Sequence, residues 1–158
     1  MAITDNDTPI KTRVIDAINT AITTVTEIEY VKDRPSLLSD IETATLPAAF
    51  LFDGDESRPV YRNRLRTVDF PYTAEIWVDD EDGQKSSSEQ MDIWQAKLYA
   101  ALISDTERPV FFANAGVSIV EGDTPIIKGY VSERIAVAQL KYEVTYRTSI
   151  NDLYSVNY

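Results

Sequence analysis

The sequence predicts an α+β fold: a mainly antiparallel, twisted sheet of four to five strands with two amphipathic helices packed on one face. Three observations predict it. Two stretches, 9–26 and 88–103, carry apolar residues at helical spacing. Two others, 67–78 and 136–147, alternate apolar and polar residues. Short apolar runs between them are bounded by Pro, Gly and acids. The order is helix, strand, strand, strand, helix, strand, strand. Long alternating strands give a sheet with one face for the core, and two amphipathic helices can cover that face.

The first helix is expected from Pro9 to Thr26, with Thr8 as N-cap and Pro9 at the first helical position. Val14, Ala17, Ile18, Ala21, Ile22 and Val25 form its apolar stripe. A short strand follows over Glu27–Val31, and Pro35 ends it. Residues 36–46 read as loop, and the continuous apolar run Leu46–Phe52 reads as an inner strand. Asp53, Gly54, Asp55 and Glu56 break it. Residues 57–66 read as a polar hairpin arm bearing Arg58, Arg62, Arg64 and Arg66.

From Thr67 a long strand alternates Val68, Phe70, Tyr72, Ala74, Ile76 and Val78 with Asp69, Pro71, Thr73, Glu75 and Trp77. Pro71 cannot donate to a ladder, which places an edge or bulge there. Asp79, Asp80, Glu81 and Asp82 make an acidic turn ahead of overlapping capping-box patterns, Ser86 with Glu89 and Ser87 with Gln90. The second helix is expected from Ser88 to Ile103, with Met91, Trp94, Leu98, Ala101 and Leu102 inward. Residues 105–134 read as loop with one short strand, Val117–Val120. The last strand runs over 136–147, and the tail from about 148 is polar.

A chain of 158 residues is expected to fold as one domain around one core. It has no Cys and no His, so it has no thiol nucleophile, no thiolate or imidazole metal ligand and no imidazole base. An enzyme would have to work with carboxylates, Lys, Tyr or Ser alone. No apolar run approaches the length of a membrane span, and the acidic, polar start is unlike a secretory leader. The expected place of synthesis and assembly is therefore the cytoplasm. A net charge of −11 disfavours nucleic-acid binding.

A calcium loop needs Gly at its sixth position and Glu at its twelfth. Counting from Asp53 these hold Arg58 and Arg64, and from Asp79 they hold Gln84 and Gln90. No phosphate-cradling Gly motif and no nucleophile elbow are present. Glu75 beside Trp77 is the nearest approach to a carboxylate site on an aromatic platform, and the plainer reading points both off the outer strand face. No catalytic, cofactor-binding or metal-binding residue is predicted. The arginine arm reads either as a phosphate contact or as an arm pairing with acidic turns such as Asp79–Asp82, on its own or a neighbouring subunit. The second suits an acidic chain, because Arg favours planar, bidentate pairing with carboxylates. Nine Tyr residues add to the arginines as interface-prone types.

The order of features resembles the tail terminator (tail completion) proteins of tailed bacteriophages over most of the chain. It is carried by the Pro-led strand Leu46–Phe52 with its acids through Glu56, the Arg-rich arm, and the strand ending Ala74-Glu75-Ile76-Trp77-Val78. The helix with Lys97–Leu102 and the long strand ending Leu140–Arg147 complete it. The resemblance implies a ring, a hexamer, on the head-proximal end of the tail tube that stops tube polymerisation and joins the neck. Its implied partners are copies of itself, the tube protein, a neck or head-completion protein and, in contractile tails, the sheath. DNA would be passing cargo, and the protein would end in the virion. Arg58, Arg62, Arg64 and Arg66 are the expected subunit-interface residues. Asp53, Asp55, Glu56, Asp79, Asp80, Glu81 and Asp82 are the expected channel-facing acids, repelling phosphate over roughly 8–10 Å. Competing readings are another neck, head-completion or tube protein of similar fold, an unrelated protein-binding module, and a His-free carboxylate enzyme.

Overall fold

A computed structural model describes residues 8–32, 46–80, 86–104 and 106–154. Its strands form a six-stranded, mainly antiparallel sheet in the order β1-β2-β4-β6-β5, with β3 also paired to β4. The strands are β1 (Tyr30–Lys32), β2 (Ala48–Asp53), β3 (Val60–Arg62), β4 (Leu65–Asp79), β5 (Ser118–Tyr130) and β6 (Ile135–Ser149). Three helices, α1 (Ile10–Thr26), α2 (Ser87–Leu102) and the short α3 (Val110–Asn114), accompany them. The α+β class and the helix-covered face are as the sequence predicts. The additions are one more strand than expected and a third helix.

The alternation that predicts β4 and β6 is what builds the core. The two strands pair along their full lengths, Leu65 opposite Ser149 and Asp79 opposite Ile135. Val68, Phe70, Tyr72, Ala74 and Ile76 of β4 therefore share a face with Ala138, Leu140, Tyr142, Val144 and Tyr146 of β6. On that face Ile10, Val14, Ile18 and Ile22 of α1 and Met91, Trp94, Leu98 and Leu102 of α2 complete one apolar cluster. Trp94 and Tyr72, at 5% and 1% exposure, are core residues.

Caps decide where the helices begin. The structure corrects the expected Thr8 cap: Pro9 stands at the N-cap of α1 and makes no side-chain cap bond. The Ile10 amide instead donates to the Leu153 carbonyl at 3.1 Å, so the C-terminal segment satisfies the helix start. At α2 Ser86 caps as expected, its hydroxyl accepting from the Glu89 amide at 3.2 Å.

Between β2 and β3 the chain stays alongside β4. The Gly54 amide donates to the Pro71 carbonyl and the Ser57 amide to that of Asp69, so 48–62 is one interrupted strand facing β4. Asn63 and Arg64, with φ of 52° and 63°, close it as a two-residue hairpin. This is the polar arm. The opposite sheet edge departs from expectation: β5 spans thirteen residues where the sequence suggests four. Its pairing with β6 shifts register between Glu121 and Ile126.

The other sheet face also carries an apolar cluster. Ala48, Phe50, Trp77 and Ile135 are buried there, with Phe50 and Trp77 in edge-to-face contact at 5.2 Å between ring centroids. Trp77 does point off the outer face, but it is 6% exposed. No helix among the described residues is long and apolar enough to cross a membrane.

Candidate functional site

The arm base gathers the densest set of charged contacts. Lys11 comes from the first turn of α1, and Glu56 from the break between β2 and β3. Arg66 begins β4, and Tyr146 and Thr148 end β6. Leu153 follows, and together these residues line a pocket of about 200 Å³.

The bonds converge on Glu56. Tyr146 donates its hydroxyl proton to Glu56 Oε1 at 2.8 Å, and Arg66 Nη2 reaches Oε2 at 3.2 Å. Arg66 Nη1 also donates to the Tyr146 hydroxyl at 3.4 Å. Lys11 Nζ lies 3.4 Å from Glu56 and 3.6 Å from Asp53, and 5.2 Å from the centre of the Phe70 ring. Burial alone would raise the Glu56 carboxyl, but the Tyr146 hydroxyl, Lys11 and Arg66 outweigh it and hold the group below its ordinary value of 4.5. Burial also works against the Arg66 charge, and Tyr146, Glu56 and Tyr61 outweigh it, so the guanidinium is held protonated. The Tyr146 phenol is pushed up by burial and, more weakly, by the Glu56 charge, and opposed by Arg66. Thr148 is 1% exposed, and its Oγ1 has no hydrogen-bond partner among the described residues.

The expected site residues fall into three places. Asp53, Glu56 and Arg66 meet at the arm base. Asp55, Arg58, Arg62 and Arg64 are exposed along the arm. Asp79 and Asp80 lie at the far end of β4, seven residues or about 24 Å beyond Tyr72, the register partner of Asp53. Glu81 and Asp82 lie outside the described residues. The expected pairing of the arm with Asp79–Asp82 is not what the described residues form within the chain. Arg66 takes Glu56, while Asp79 is held by Arg134 through three bonds of 2.8–3.1 Å. Asp80 accepts from the Ser87 hydroxyl and from Tyr130 at 3.3 Å.

Glu75, the nearest approach to a carboxylate site in the sequence, is held as an acceptor. Trp77 Nε1 donates to one oxygen at 2.6 Å and Gln139 Nε2 to the other at 3.0 Å. Sequence reasoning missed Lys11, Tyr146 and Thr148 as site residues. They come from distant elements, and the alternation in β6 marks Tyr146 only as core. Among the described residues no group of three or more acids forms a metal site.

Fold and site together define a class: an open-sheet α+β protein with an arginine-bearing hairpin anchored by an ion-pair cluster. Compared with models of known protein families the chain matches none, and no curated protein matches it.

Proposed function

We propose that the protein is a bacteriophage tail terminator, a structural subunit whose copies close into a ring, a hexamer, on the head-proximal end of the tail tube. There it stops tube growth and presents the surface that the neck joins. The observation that carries this reading is the arm. Its exposed Arg58, Arg62 and Arg64, with Val60 at 64% and Tyr61 at 58% exposure, form a surface rich in interface-prone types. A ring needs a head-to-tail contact, two different surfaces that close on themselves. The arm supplies one surface and the acid-rich remainder the other.

The channel hypothesis takes a definite geometry. Asp53 and Asp79 stand about 24 Å apart along β4, so a channel lined by both groups of acids would have β4 running along its wall. Glu56 and Asp79 are compensated by their own cations. Asp53 shares Lys11 with Glu56, so the repulsion of passing DNA would rest mainly on Asp55, Asp80, Glu81 and Asp82.

The test is to add the protein to polymerising tube subunits and measure tube ends. Capping at one end with shortened tubes is expected, while tubes that grow unaltered in its presence would reject the reading.

A further inference from the structure

We infer that the helix-side face of the arm base docks onto a second copy of this chain, and that the pocket at its centre takes a carboxylate from that copy. This deepens the ring reading, on which it rests, by naming the contact. Strand alternation sets Tyr61, Arg66, Tyr146 and Thr148 on the side that carries α1. Tyr61 stands opposite Arg66 in the ladder and favours its charge. Leu153 lines the pocket, and Tyr154 follows it. Tyr61, Leu153 and Tyr154 are 58%, 48% and 45% exposed, an aromatic and aliphatic rim around a polar centre.

Two observations fix the occupant. The first is Thr148, whose buried hydroxyl is unspent in the single chain. Buried polar groups are ordinarily satisfied, so an incoming acceptor has a donor waiting. The Lys11 contacts are loose at 3.4 and 3.6 Å, and its ammonium has three donors to offer. The second is charge. Lys11 and Arg66 line the pocket, and Arg58, Arg62 and Arg64 stand exposed along the neighbouring arm. The chain carries 26 acids against fifteen cations, so a second copy offers carboxylates in excess.

Sedimentation of the full chain across a hundredfold concentration range tests this, with Tyr61→Ala, Leu153→Ser and Thr148→Val. Self-association that each variant weakens at least tenfold, and that added salt weakens, is expected. Thr148→Val should also raise the melting temperature, which separates a lost contact from a lost fold. A chain that stays monomeric throughout, or association that none of the three changes, overturns the docking. So does free glutamate bound by a chain that does not associate, which would assign the pocket to a small carboxylate. Tube capping by a chain whose association ignores these residues would leave the ring reading standing and remove only this contact.

Discussion

Glu56 decides how firmly the arm is tied to the body. Its carboxylate accepts from Tyr146 and Arg66 and faces Lys11, three elements brought together by one side chain. Glu56→Gln keeps the shape and removes the charge, and at neutral pH it should cost about 1 kcal/mol in chemical denaturation. The folded carboxyl sits below its ordinary value of 4.5, so the contribution is whole above about pH 5 and fades as pH falls through the folded-state value. The gap between the native protein and the Gln variant should therefore close on acidification. A gap that widened toward acid would contradict the assignment. Tyr142 needs no such partner: burial pushes its phenol up, and it stays neutral in the core.

Single elements carry their own tests. The arm turns on Asn63 and Arg64, both at positive φ, a conformation that Gly adopts without a Cβ penalty. Arg64→Gly should stabilise the hairpin by about 0.5–1 kcal/mol in thermal melts while removing one candidate interface cation. On the outer face, Phe50→Ala should cost about 3–5 kcal/mol, since the ring is fully buried against Trp77. These elements also show what the sequence makes legible. α1, α2, β4 and β6 declare themselves because one face of each is buried and the period is long enough to count. β5 hides because Gly122 and Pro125 fall in its register shift, and its ladder is dictated by β6. The outer cluster was obscured because Ala48–Phe52 is apolar on both faces, so period two has no contrast there. The arm-base site was half legible: Glu56 and Arg66 stood out by charge, but their pairing comes from the interrupted strand that keeps 54–57 beside β4. Lys11 and Thr148 join only through tertiary contact.

At the scale of the molecule, a helix-covered sheet leaves the arm and the long edge strand β5 at its margins. Val120, Ile127 and Tyr130 of β5 are exposed, and the arm carries Val60 and Tyr61. Margins of this kind invite pairing with another chain, and the proposed ring would engage both at once. Net charge of −11 keeps such a subunit soluble until a matched surface meets it. The most direct measurement is tube length by negative-stain electron microscopy, with purified tube subunits polymerising against increasing amounts of this protein. The account predicts that mean length falls with dose and that a ring sits on one end of each tube. A length distribution unmoved by excess protein, with both ends bare, would contradict it.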